Sequence, residues 1–136
     1  LLTEAEWEKA ARGTHGLKFP WGNKLLPKRA NLAGTGDGHT YMSPVGIYPM
    51  GRSVYGVYGM AGNVSEWVAD FYDQFYYQSA PMMNPTGPEN GKNHVFRGGS
   101  WDARSVDIRT SKRFAASPGR KDGILGFRCG RSKDPK

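Results

Sequence analysis

The chain has 136 residues, which suffices for one compact domain and not for two. Nineteen basic and twelve acidic side chains give it a net charge of +7. A mean hydropathy of −0.64, together with the lack of a long apolar run, excludes a membrane-spanning helix. The single cysteine, Cys129, excludes an internal disulfide and any metal site built from several cysteines.

The positive charge is concentrated at the C-terminal end. Residues 1–96 hold eight basic and eight acidic side chains, whereas residues 97–136 hold eleven basic and four acidic ones. Neither a basic amphipathic helix nor basic residues interleaved with aromatics accompany this excess, as they do in many nucleic-acid binders. We therefore expect a solvated basic surface and no nucleic-acid partner.

Two segments are predicted to be helical. Thr3 and Glu6 have the spacing of a capping box and Gly13 provides a stop, so a helix is predicted over residues 4–11. Because this helix is short, it must dock against the rest of the domain to persist. A second short helix is predicted over residues 63–70.

The other predicted elements are short strands separated by loops. Segments with β-branched or aromatic residues near turn residues predict strands over 45–48, 94–98, 107–114 and 126–129. Residues 72–93, rich in Pro, Gly and aromatics, are predicted to form an extended surface loop. We expect one folded domain over residues 1–130 and a flexible tail over residues 131–136.

Several segments, in order, resemble the formylglycine-generating enzyme (sulfatase-modifying factor) family. They are residues 1–8, 10–13, 19–23 (Phe-Pro-Trp-Gly-Asn), 44–46, 58–68 (Tyr-Gly-Met-Ala-Gly-Asn-Val-Ser-Glu-Trp-Val), 84–88, 97–101 (Arg-Gly-Gly-Ser-Trp) and 126–128 (Gly-Phe-Arg). The resemblance implies an α+β fold, a loop-rich variant of the C-type lectin fold with little regular secondary structure. It also implies that this chain is the C-terminal part of such a domain and that the upstream half of the domain is a partner.

The resemblance places two copper-binding cysteines of the catalytic members at positions that are Ala103 and Ile108 in this chain. Neither side chain binds a soft metal or carries thiol chemistry, so formylglycine formation is not expected. Cys129 has no second thiol with which to replace them. The three histidines lie in separate segments without metal-ligand spacing, so neither copper nor iron is expected in this chain.

Calcium is the metal that the sequence favours. Asn31, Leu32, Asp37 and His39 resemble the family's first calcium site, in which two side chains and two backbone carbonyls supply oxygen ligands. One carboxylate and glycines that allow carbonyls to turn inward suit this hard cation. A plain Asp-Gly turn is the alternative explanation.

A second calcium site in the family resembles Gly59, Gly62, Val64 and Glu66. Glu66 would provide the carboxylate, and Gly62 and Val64 would provide carbonyls. The first position, normally Asp or Asn, is Gly59 here and supplies no side-chain oxygen, which weakens the site. The alternative is that Glu66 is a buried structural carboxylate paired with an arginine such as Arg128.

Residues 101–122 correspond to the groove that receives a ligand in the family. A mixed-charge loop of this kind binds carboxylates or phosphates through arginine forks, although a solvated face braced by arginines is the alternative. The candidate ligand-binding residues are Ser100, Trp101, Asp102, Arg104, Asp107, Lys112, Arg113, Arg120 and Asp122. The expected partner there is a protein, a peptide or a small anionic ligand.

Two functions are compatible with these features. The first is a non-catalytic, calcium-stabilised binding module, of the kind often appended to kinases or proteases and used by variable proteins of diversity-generating retroelements. The second is a metal-dependent oxidase or oxygenase whose metal ligands lie partly in the upstream half of the domain.

Overall fold

The computed structural model describes residues 1–34 and 36–131, so residues 132–136 of the predicted tail lie outside the described part. Its regular elements are few and short, and loops connect them. They are helix α1 (Glu4–Arg12), strands β1 (Ser65–Phe71), β2 (His94–Arg97), β3 (Phe114–Ala116) and β4 (Leu125–Phe127), and two 3₁₀ turns at Pro49–Gly51 and Tyr76–Gln78.

Helix α1 begins as its sequence predicts and ends one residue later. The Thr3 hydroxyl accepts from the Glu6 N–H at 3.2 Å, and the Glu6 carboxylate accepts from the Thr3 N–H at 2.8 Å. Both halves of the capping box are therefore formed. Gly13, at a φ of 63°, ends the helix. Trp7 and Ala11 are buried, so one helix face docks on the core.

The predicted helix over residues 63–70 is wrong, because Ser65–Phe71 forms strand β1. In the strand order β3-β2-β1-β4, strand β1 pairs antiparallel with β2 and parallel with β4. Backbone hydrogen bonds from both sides outweigh the weak helical preference of this segment. The central position also turns Glu66, Val68 and Asp70 into the protein.

The other strand predictions have mixed outcomes. Strand β2 lies within the predicted segment 94–98, and β4 starts one residue before the predicted segment 126–129. Residues 107–113 form turns instead of a strand, and β3 begins only at Phe114. Residues 45–48 form no strand, because Gly46 adopts a φ of 85° in a turn. Loops dominate residues 72–93, as expected.

The core consists of two adjoining clusters on either side of the Met60–Ala61 link. The first contains Trp7, Ala11, Met60, Val68 and Val95, and the second contains Phe19, Ala30, Leu32, Ala61 and Ile108. A small mixed sheet, one helix and long ordered loops confirm the α+β, loop-rich fold class. Within the described residues, no helix is long and apolar enough to cross a membrane.

Candidate functional site

The residues of the first predicted calcium site lie in one closed loop. The Asp37 carboxylate accepts from the Leu32 N–H and from the His39 N–H, each at 3.0 Å. Asn31, adjacent to Leu32, is 1% exposed, and its side-chain amide donates to the Tyr41 carbonyl at 2.7 Å. The fold thus brings Asn31, Leu32, Asp37 and His39 together.

The Asn31 side-chain oxygen is the candidate cation ligand of this loop that makes no hydrogen bond. Oδ1 of Asn31 is buried and has no hydrogen-bond partner, although most buried polar atoms are paired. A turn gives no reason for an unpaired buried oxygen, whereas a hard cation would use it as a ligand. Among the described residues no three His, Cys, Asp or Glu side chains gather, so neutral oxygens would supply most of such a shell.

Glu66, the carboxylate of the second predicted site, is paired with Arg128. It is 5% exposed, and its Oε2 accepts from Trp7 Nε1 at 2.7 Å and from Arg128 Nε at 2.6 Å. Its Oε1 accepts from Arg128 Nη2 at 2.6 Å. The structure therefore contains the ion pair that the sequence left open as the alternative to a second calcium site.

The other two residues of that predicted site are Gly62, which packs closely on Asn31, and Val64, which lines a cleft. Gly62 has a φ of 71°, and a Cβ at this position would lie 2.3 Å from the Asn31 carbonyl oxygen, so only glycine allows the approach. Val64 lines a cleft of about 250 Å³ that also borders Asn31, Tyr48 and Glu66. Burial, and then the charge of Asp37, raise the pKa of Tyr48, and a contact with the Ser43 side chain opposes them.

Asn63 is a positioning residue that was not predicted from the sequence. Its Oδ1 accepts from the Ser43 N–H at 2.8 Å, and its side-chain amide donates to the Ser43 carbonyl at 3.2 Å. Its backbone has a φ of 66°, a conformation that Asn tolerates better than most residues. The Gly62-Asn63 pair before β1 is a turn signal in the sequence. The incorrect helix prediction over residues 63–70 includes Asn63 and therefore misses this signal.

Arg113, predicted for the ligand surface, belongs instead to a buried ion cluster. Its Nε and Nη2 donate to the two carboxylate oxygens of Glu4 at 2.8 Å each, and its Nη1 donates to the Asp73 carbonyl at 2.9 Å. Its guanidinium also lies over the ring of Tyr77, 5.1 Å from the centroid. These contacts occupy the side chain, so Arg113 is not available to a ligand.

Arg97 completes this cluster, in a role that was not predicted from the sequence. Its side chain is fully buried and donates to Glu4 at 2.8 Å, to the Thr110 carbonyl at 2.6 Å and to Glu8. Burial, and then the charges of Glu4 and Asp70, raise the pKa of the neighbouring Tyr77. The cluster fixes α1 to the sheet.

The first part of the predicted ligand surface is exposed around Trp101. The Trp101 ring packs edge-on against Tyr41 at 5.1 Å, and its indole N–H donates to the Gly123 carbonyl at 3.3 Å. Asp102 is exposed, and the 80% exposed Arg104 pairs with Asp107 at 3.2 Å. Ser100 is buried beneath this surface and is not accessible.

The second part lies on the aromatic edge of the sheet. Lys112 covers the ring of Phe114, and Arg120 covers the ring of Phe96, at 5.3 and 5.6 Å from the centroids. Arg120 also donates to Asp122 at 2.6 Å, and this hydrogen bond lowers the pKa of Asp122. Asp122 neighbours Gly123, so the two parts of the surface meet beside Trp101.

Ala103 and Ile108 provide alkyl groups where the resemblance expects cysteines. Ile108 is fully buried in the second core cluster, and Ala103 packs against that cluster. Cys129 is an exposed free cysteine beyond β4. Hydrocarbon side chains in these places bind no copper, and they serve the packing of the core.

The family of this chain follows from its sequence match. The chain matches the Sulfatase-modifying factor enzyme 1-like domain over residues 1–133 and therefore belongs to the formylglycine-generating enzyme family. The family and the fold implied by the sequence resemblance are thus confirmed.

Three known proteins illustrate the similarity. Serine/threonine-protein kinase Pkn1 of Chlamydia trachomatis serovar L2 is 39% identical over 139 residues, covering 100% of this chain and 21% of the kinase. The formylglycine-generating enzyme of Streptomyces coelicolor is 39% identical over 150 residues, covering 98% of this chain and 47% of the enzyme. The solved structure of Treponema denticola variable protein 1 has a TM-score of 0.78 and 30% identity, covering 93% of this chain and 45% of that one. The chain thus spans between a fifth and a half of the length of these relatives.

Proposed function

We propose that the chain is a non-catalytic, calcium-stabilised module that binds a protein, a peptide or a small anionic ligand. The observation that carries the proposal is the buried, unpaired Oδ1 of Asn31 beside the Asp37 loop. Asn31 Oδ1, the Asp37 carboxylate and the carbonyls of Leu32 and His39 would hold the cation. Calcium would neutralise the carboxylate and hold the two ends of this loop together.

The calcium loop has a direct connection to the ligand surface. Asn31 donates through its amide to the Tyr41 carbonyl, and the Tyr41 ring packs against Trp101. A cation that fixes the orientation of the Asn31 side chain therefore also fixes Tyr41 under Trp101. Asp102 follows Trp101 in the chain, and the Arg104–Asp107 ion pair lies a few residues further on, so this segment provides charged groups of both signs for recognition.

Ala103 and Ile108 support the non-catalytic part of this proposal. Their alkyl groups supply neither thiolate ligands nor a nucleophile, and Ile108 is part of the core. The similarity in fold to Treponema denticola variable protein 1 is compatible with the variable-protein subtype that the sequence resemblance suggests. The similarity to a kinase over only 21% of its length supports a role as an appended module.

A second candidate is an oxidase or oxygenase whose metal ligands lie partly outside this chain. The 39% identity to a formylglycine-generating enzyme, of which the chain covers 47%, favours it. Elemental analysis of the purified full-length protein separates the two proposals. We expect about one equivalent of calcium without redox metal, whereas stoichiometric copper or iron, with oxygen consumption, would establish the second candidate instead.

The upstream half of the same domain is proposed as a partner for an apolar cleft on the sheet. The cleft measures about 360 Å³ and is lined by Leu1, Trp67, Val68, His94, Pro118 and Phe127. Phe127 is 67% exposed, and the enzyme relative is about twice as long as the segment it shares with this chain. Burial of such an apolar surface by further chain would stabilise both parts.

Substitution of Phe127 tests this packing in the full-length protein. Phe127→Asp is expected to lower the melting temperature by several degrees, because a buried phenyl group contributes roughly 2 to 3 kcal/mol. Phe75→Asp is the matched control, since Phe75 is 60% exposed and does not belong to the lining of the cleft. Equal melting temperatures for the two variants, measured by differential scanning calorimetry, would contradict the proposal that the upstream half covers this cleft.

A further inference from the structure

We infer that Gly59 and Arg128 together close the second metal position of this fold, so that a guanidinium stands where a second calcium ion would bind. Calcium binding at the first site is not required for this role. Three observations support the inference. They are the hydrogen bonds to Glu66, those from Arg128 to neighbouring backbone carbonyls, and the position of Gly59 beside the guanidinium.

Glu66 has little capacity left for a metal. Three N–H groups from Trp7 and Arg128 already donate to its two oxygens at 2.6 to 2.7 Å. The two contacts from Arg128 form a bidentate pair, the strongest geometry between an arginine and a carboxylate. The guanidinium also carries the positive charge that a cation would bring, and it repels a second one at this distance.

Arg128 also occupies backbone oxygens next to Glu66. Its Nη2 donates to the Tyr58 carbonyl at 3.1 Å and to the Gly59 carbonyl at 3.2 Å. Calcium prefers carbonyl and carboxylate oxygens of this kind. The one side chain therefore contacts a carboxylate and two carbonyls, as a bound cation would.

Gly59 lies beside the guanidinium and supplies no side-chain oxygen. A Cβ on Gly59 would lie 3.5 Å from Arg128 Nη2, in ordinary van der Waals contact, so the two residues are direct neighbours. Arg128 belongs to the Gly-Phe-Arg segment that supports the family resemblance, whereas Gly59 departs from the family pattern of Asp or Asn. The difference from the family pattern is thus the missing side-chain oxygen at residue 59, and without it the guanidinium of Arg128 holds both Glu66 oxygens.

A calcium-binding measurement on designed variants tests this inference. The Asp37→Ala variant serves as background so that the first site does not contribute. Gly59→Asp with Arg128→Gln restores the oxygen and removes the guanidinium, and Asp tolerates the φ of 68° at residue 59 better than most residues. Isothermal titration with calcium chloride is expected to show no binding to the background and one ion bound to this variant.

Gly56 offers the matched control. It has a φ of 77°, and a Cβ added there would meet nothing within 4 Å, so Gly56→Asp adds the same charge and backbone strain away from Glu66. With Arg128→Gln in the same background it is expected to bind no calcium. If the Gly59→Asp variant keeps a native near-ultraviolet spectrum but binds no more calcium than this control, the inference is wrong.

A second measurement needs no new metal site to form. Wild type and Glu66→Gln are expected to bind equal amounts of calcium, because Glu66 is not a ligand. Loss of one bound ion in Glu66→Gln would overturn the inference. A wild type without calcium, combined with a gain in the Gly59→Asp variant, would support the inference and at the same time refute the proposed first site.

Discussion

Arg97→Met is expected to produce the largest loss of stability of any single substitution considered for this protein. Arg97 is fully buried and donates to Glu4, Glu8 and the Thr110 carbonyl. Its guanidinium also lies 5.4 Å from the centroid of the Trp7 ring. Loss of Arg97 leaves the buried Glu4 dependent on Arg113 for its neutralisation and deprives the Thr110 carbonyl of its buried donor. Removal of one member of a buried ionic cluster costs about 3 to 5 kcal/mol. Thermal unfolding should therefore occur roughly 10 °C or more below the wild type.

Arg104→Met is the control for that experiment. Arg104 pairs with Asp107, but its side chain is 80% exposed, so water screens the interaction. Exposed ion pairs contribute about 0 to 1 kcal/mol, and this variant should melt within a few degrees of the wild type. Equal melting temperatures for Arg97→Met and Arg104→Met would mean that the buried cluster does not fix α1 to the sheet.

Asp37→Ala is expected to abolish the stabilisation of the protein by calcium. With free calcium at about one hundred times its dissociation constant, bound calcium adds about 2.7 kcal/mol to the free energy of unfolding. The wild type should therefore lose several degrees of melting temperature when a chelator is added. Asp37→Ala lacks the single carboxylate of the site and should melt at one temperature with and without chelator.

Asp102→Ala controls for the loss of a surface carboxylate. Asp102 is exposed next to Trp101, and the Asp37 carboxylate accepts instead from the Leu32 and His39 N–H groups. This variant should keep the wild-type response to chelator in differential scanning fluorimetry. If chelator lowers the melting temperature of Asp37→Ala as much as that of the wild type, calcium does not bind at Asp37.

Two different kinds of anchor hold the loops of this domain in place. On one side, Arg97, Arg113 and Arg128 use fixed cationic side chains to neutralise buried carboxylates. On the other side, backbone N–H groups donate to the Asp37 carboxylate, and the nearby Asn31 retains an unpaired oxygen. The proposed calcium would therefore control the stability of the ligand surface around the Tyr41 ring, while the sheet would remain independent of metal.

Signals confined to a few neighbouring residues were readable from the sequence. Thr3 and Glu6 predicted the start of α1 because a capping box forms within one turn of the chain. The family could be recognised because ordered motifs extend along the whole chain. The residue types of Ala103 and Ile108 show without a structure that these two positions carry no thiol.

Interactions between distant parts of the chain needed the tertiary structure. The segment of β1 resembled a helix locally, and only its pairing with β2 and β4 made it a strand. Glu66 meets Arg128 across 62 residues, and Glu4 meets Arg113 across 109 residues. An arginine on a binding surface and an arginine in a buried ion pair have the same local sequence signal. The sequence by itself therefore determined the family and the first helix, whereas the burial and pairing of each charge were decided by contacts that form only when the chain folds.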